Sequence, residues 1–169
     1  TTLFEGNAKW RTDTANRLGK TSIKIPITGK WYAEMVMTET GGGSPIFGVS
    51  DIYNSDLGGG DPSIGYRTNG DVDHNDGSYS TDTGNTTWAA DDIVAIAIDA
   101  DAGTFKFYKN NVLTKTLTNY NTVFSGHDAF FAVQSNGGDG NTSFIINHGQ
   151  DSSFAGAKTA QGNQDSNDI

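Results

Sequence analysis

The run Ile93-Val94-Ala95-Ile96-Ala97-Ile98-Asp99 is followed by Thr104-Phe105-Lys106-Phe107-Tyr108-Lys109 and by Val112-Leu113-Thr114-Lys115-Thr116-Leu117. Together they read as three strands in a meander. The first is apolar at every position to Ile98, which places it in the middle of a sheet with both faces covered. In the second, Phe105 and Phe107 alternate with polar neighbours, the period of a strand with one buried face. Gly103 closes the first connection with a residue that takes positive φ at no steric cost. Asn110-Asn111 makes the second, because Asn tolerates the left-handed region that a two-residue hairpin requires.

The same alternation extends upstream and downstream. In Trp31 to Met37, the side chains of Trp31, Ala33, Met35 and Met37 point one way and those of Tyr32, Glu34 and Val36 the other. Further strands are expected at Ile46 to Ser50, Ile64 to Thr68, Phe130 to Ser135 and Ser143 to Asn147. A strand at Ile23 to Ile27 is interrupted by Pro26, which confines it to an edge. Two connections are long. Asp51 to Ser63 carries Gly58-Gly59-Gly60, and Asn69 to Ala90 is rich in Asp, Asn, Gly, Ser and Thr; loops of such length are often functional. No repeat, heptad or convincing helix is evident beyond one turn near Ser153 to Lys158. The expectation is an all-β, two-sheet antiparallel sandwich.

Composition agrees. Of the acidic residues seventeen are Asp and three Glu, and Asp favours turns where Glu favours helix interiors. A net charge of -9 repels phosphate backbones, which argues against nucleic acid and anionic membrane surfaces as partners. No apolar run is long enough to span a bilayer, and no cysteine is present for a disulfide scaffold or thiolate metal site. The chain starts at Thr1 and ends in a polar run from Gln161 to Asp168, as expected of a module cut from something larger. The expected division is an N-terminal extension at 1–17 packed on the sandwich, the sandwich itself at 18–154, and a polar tail at 155–169.

In order along the chain, several motifs resemble the SPRY domain, the core of the B30.2 family. They are Gly29-Lys30-Trp31-Tyr32 with Glu34, Phe47-Gly48-Val49-Ser50, Gly65-Tyr66, Trp88, Asp92-Ile93-Val94 through Asp99, and Phe107-Tyr108-Lys109-Asn110. Phe130-Phe131-Ala132-Val133 and Phe144 through Gln150 complete the set, which covers Leu18 to Phe154. Asp91, Ala95 and Asn111 stand where Gly is usual or frequent, swaps that a strand or turn absorbs. The resemblance implies a concanavalin-like sandwich whose loops at one end bind peptide segments, with no catalytic residues and no cofactor. The acidic, Gly- and Thr-rich style, with Phe154-Ala155-Gly156-Ala157-Lys158, is similar to modules within large bacteriophage or marine-virus proteins. That implies a virion or cell-surface setting rather than a cytoplasmic one.

The expected contact surface is the two long connections plus Ser135-Asn136-Gly137-Gly138-Asp139. Its candidate ligand-binding residues are Tyr53, Tyr66, Arg67, Asn69, Ser135 and Asn136. Tyr66 is the expected apolar anchor, and Asn69 and Asn136 offer paired donors and acceptors to a peptide backbone. Replacing Tyr66 and Asn136 by Ala is accordingly expected to leave the thermal melt nearly unchanged but to weaken binding. Asp71, Asp73 and Asn75 alternate oxygen side chains as a calcium site requires, yet Gly77 falls one position late for an EF-hand loop and no closing Glu follows. A solvated acidic turn is the better reading. His74, His127 and His148 show no spacing to a nucleophile, and Glu34 alone among the Glu lies in an expected strand, so hydrolysis has little support. Trp31, Phe105, Phe107, Phe130, Phe131 and Trp88 read as packing residues. The partner expected is a protein or peptide, alternatively a glycan read by Tyr, Asp and Asn or a neighbouring subunit of a virion; nucleic acid and membrane insertion are not expected.

Overall fold

A computed structural model describes residues 2–4, 9–59, 62–75, 77–138, 141–149 and 159. Two antiparallel sheets face each other. The seven-stranded sheet has the order β1 (Thr2–Phe4), β2 (Lys9–Thr12), β13 (Thr142–Asn147), β4 (Lys30–Glu39), β9 (Ile93–Asp99), β10 (Thr104–Lys109) and β11 (Val112–Leu117). The six-stranded sheet has the order β3 (Arg17–Ile25), β12 (Ala129–Ser135), β5 (Ile46–Asp51), β6 (Ser63–Arg67), β7 (Val72–Asn75) and β8 (Tyr79–Asp82).

The core forms where the inner faces meet. Met35 and Met37 of β4, Ile96 of β9 and Phe105 and Phe107 of β10 pack with Phe47, Ile64, Tyr66 and Phe131 of the other sheet. Each such side chain contributes about 1.5–3 kcal/mol by leaving water. The meander is as the alternation requires: Lys109 faces Val112 across Asn110 (φ 47°) and Asn111 (φ 66°), a hairpin with both central residues left-handed. Asp91, at a position where Gly is usual in the resemblance, also sits at φ 71°.

Several expectations change. The connection from Asn69 to Ala90 is not one loop, because β7 and β8 form a hairpin within it. With Val72 its one large aliphatic side chain, that hairpin lacks the alternation that marks a strand. The strand expected at Ile23 begins at Arg17 and ends at Ile25, on the sheet edge that Pro26 demands. A short helix, α1 (Tyr120–Val123), adds Tyr120 and Val123 to the core. Phe130 lies on the face opposite Phe131 and stays outside the main core. On β9 the outer face is covered at Ile93, which clusters with Val36 and Ile145, but Ala97 remains partly exposed. The helical turn near Ser153 to Lys158 and the stretch 155–158 fall outside the described residues. So do Gly60, Asp139 and Gln150.

Strand direction sorts the connections between two ends. One end, here the loop end, gathers 13–16, 40–45, 68–71, 83–92, 110–111 and 136–138. The connection after β5 leaves from the opposite end. A single strand, β6, separates the connections that begin at 52 and 68, so in an antiparallel sheet they cannot share an end.

Candidate functional site

The loop end is tied together by main-chain hydrogen bonds. Ser44 N–H donates to the Asn136 carbonyl at 2.7 Å, Thr68 N–H to Pro45 at 3.1 Å, and Trp88 N–H to Thr68 at 3.0 Å. Gly137 N–H donates to the Asn16 side-chain oxygen at 3.0 Å. Five separate connections thereby form one continuous surface. Gly43 permits the closest approach, since a Cβ there would lie 2.2 Å from the Asn136 carbonyl oxygen. Asn69 is exposed and makes its own turn, accepting from Asp71 N–H at 3.1 Å and donating to the Asp71 carboxylate at 2.7 Å.

The residues singled out in the sequence scatter. Tyr66 is a core residue with 0% exposure; its ring lies 5.1 Å from Phe107 and 6.2 Å from Trp88, and its hydroxyl donates to the Thr86 carbonyl. It therefore offers no surface anchor, and its strand parity explains why: Ile64 and Tyr66 point inward. Ser135 is buried, its hydroxyl shared between Thr14 O at 3.1 Å and Arg17 N–H at 3.0 Å. Tyr53 is 93% exposed but belongs to the opposite end. Of the six, Asn69 and Asn136 lie on the loop end with some exposure, and Arg67 approaches it only from beneath.

The proposed calcium ligands also separate. Asp73 is fully buried on the outer face of the six-stranded sheet, where it takes the Arg67 guanidinium, Tyr79 Oη at 2.8 Å and Thr81 Oγ1 at 2.7 Å. Asn75 donates to the Gly59 carbonyl at 2.9 Å and accepts from Gly77 N–H at 3.0 Å. Asp71 is engaged with Asn69 instead. Three donors with such partners do not converge on a cation, and no metal-binding group of three His, Cys, Asp or Glu occurs among the described residues.

The histidines are dispersed too. His127 Nδ1 lies 3.3 Å from the Asp51 carboxylate, and His148 packs at 5.4 Å from the Phe131 ring, where burial holds its pKa below the usual value. His74 faces the inner side at the sheet margin with Nδ1 unpartnered.

The outer face of the seven-stranded sheet carries a further feature. There, Ala97 lies between Tyr32 and Lys106, and Ala95 between Glu34 and Tyr108. Ala97 thus floors a cleft of about 280 Å³ whose walls carry the tyrosines, with Lys30 and Asp99 paired at its foot, while Ala95 is covered. Tyr32 Oη donates to Glu34 Oε1 at 2.6 Å. Burial, that hydrogen bond and the Glu34 charge hold the Tyr32 phenol well above its ordinary pKa. The signal was present as alternate alanines in a strand flanked by tyrosines, but strand order is needed to see it.

The two-sheet antiparallel arrangement is a SPRY-like β-sandwich. Among solved structures, the SPRY domain of human HERC1 superposes with a TM-score of 0.64 at 16% identity, over 88% of this chain and 99% of that one. A human SPRY domain gives 0.62 at 16% identity, covering 88% and 96%. The TRIM65 PSpry domain gives 0.60 at 14%, covering 87% and 85%. At such identities the likeness is one of fold. No family model and no curated protein sequence matches the chain.

Proposed function

We propose that this chain is a non-catalytic recognition module that holds a segment of a protein partner against its loop end. The observation that carries this reading is the hydrogen-bonded chain Asn136–Ser44 and Pro45–Thr68–Trp88, which joins separate connections into one surface. Such pre-organisation lowers the ordering cost of binding. Asn69 and Asn136 each offer an amide to a peptide backbone, as the resemblance to SPRY domains leads one to expect. Asp13, Asp71 and Asp91 border the surface on a chain of net charge -9, so the favoured segment is basic or neutral.

The test is selection from a displayed peptide library, followed by titration of the winners. Asn69→Ala with Asn136→Ala is expected to weaken binding about tenfold or more, with stability within about 1 kcal/mol of the parent. Salt is expected to weaken binding further. Tyr66→Ala, by contrast, removes a core ring and costs about 3–5 kcal/mol. Binders indifferent to both Asn replacements and to salt would contradict the assignment.

A further inference from the structure

The Tyr32–Tyr108 cleft lies on a sheet face rather than at the loop end, and its chemistry is different. We propose that it binds a pyranose ring of a neutral glycan. This assignment is independent of peptide recognition at the loop end.

The floor comes first. β9 is hydrogen-bonded on both sides, to β4 and to β10, so its backbone has no edge to offer an incoming strand. Anything held here is held by side chains. Ala97 is short, so the flanking strands, about 10 Å apart across β9, wall a groove one saturated ring wide.

The walls then select the ligand. Tyr108 and Tyr32 (46% exposed) present aromatic surface suited to the apolar face of a sugar ring. Hydroxyls around the rim of that ring find Lys106, which makes no ion pair among the described residues, as donor. They find the Asp99 carboxylate, held at the foot of the cleft by Lys30, as acceptor.

Charge argues for neutrality, since Lys30 and Lys106 are offset by Asp99 and Glu34 and the chain as a whole is acidic. A protein partner fits less well. The standard interface covers about 800 Å² per partner, and the large hydrophobic side chains exposed on this face are Tyr32 and Leu113, with no broad patch between them.

The experiment uses the whole chain with ¹³C-methyl alanine and titrates cellotriose, maltotriose and chitotriose, with sorbitol as the acyclic control. At least one trisaccharide is expected to shift the Ala97 methyl saturably, with a Kd on the order of 1 mM, while sorbitol does not. Tyr108→Ala is expected to raise that Kd about tenfold, the scale of one lost stacking contact. Lys106→Met, which keeps the wall's bulk, is the second variant and is expected to raise it about threefold. Asn69→Ala with Asn136→Ala is expected to leave it unchanged. The proposal is overturned if no trisaccharide moves Ala97, or if sorbitol does so equally. It is also overturned if neither wall variant alters the titration, or if loop-end peptides compete for the cleft.

Discussion

The outer faces of the two sheets make an instructive pair. Both present small residues in their inner strands, Gly48 and Gly65 on one and Ala95 and Ala97 on the other. On the six-stranded sheet, chain settles onto the small residues. Leu57 joins Ile46 and Ala132 in an outer cluster, its N–H donates to the Gln134 side chain, and Gln134 in turn holds Asp56 at 2.7 Å. Gly58 N–H reaches Ser63 Oγ at 2.9 Å, and Asp73 and Arg67 pair beneath. On the seven-stranded sheet, Ala95 is covered by its neighbours' side chains, but Ala97 stays partly open in the cleft of Tyr32 and Tyr108. A glycine column lets main chain approach, whereas the Ala97 methyl between large neighbours leaves a groove. The first arrangement demands that every buried polar group be satisfied; the second leaves polar groups to meet a ligand.

The sharpest break in the covered face is Asp73→Ala. It leaves the Arg67 guanidinium under cover without its counter-charge and removes an acceptor from Tyr79 and Thr81. A loss of about 3–5 kcal/mol is expected by denaturant titration. Gly65→Ala is next, because its Cβ would lie 2.6 Å from Ile46 Cγ2 and 3.3 Å from Leu57 Cγ. Overpacking of that kind costs about 1–3 kcal/mol. The matched change on the open face, Ala97→Val, is expected to stay within about 0.5 kcal/mol while filling the groove. Equal losses for Gly65→Ala and Ala97→Val would erase the distinction. Smallest is Asn111→Gly, at a turn outside both faces, which relieves left-handed strain and is expected to add about 0.3 kcal/mol.

The sandwich was legible because seven strands announce themselves by alternation, Ile93 to Asp99 by its unbroken apolar run, and the Asn110-Asn111 turn by its chemistry. The β7–β8 hairpin was not, since its outward Asp73, Asn75, Tyr79 and Thr81 read as a polar loop. The burial of Asp73 and Asn75 depends on a segment more than a dozen residues earlier folding over them. The surface was the harder part. Tyr66 looked like a loop aromatic because it adjoins one, yet counting inward from Ile64 places it in the core. Tyr53 and Asn69 were grouped by loop length, although one intervening strand sends them to opposite ends.

Two alanines of the same type test the contrast most directly, both on outer faces: Ala132 in β12 and Ala97 in β9. With ¹³C-methyl labelling and a soluble paramagnetic agent, the Ala97 methyl is expected to relax strongly. The Ala132 methyl, at 0% exposure beneath Leu57 and Ile46, is expected to remain silent. Equal enhancement of the two methyls, or a stronger effect at Ala132, would contradict the account.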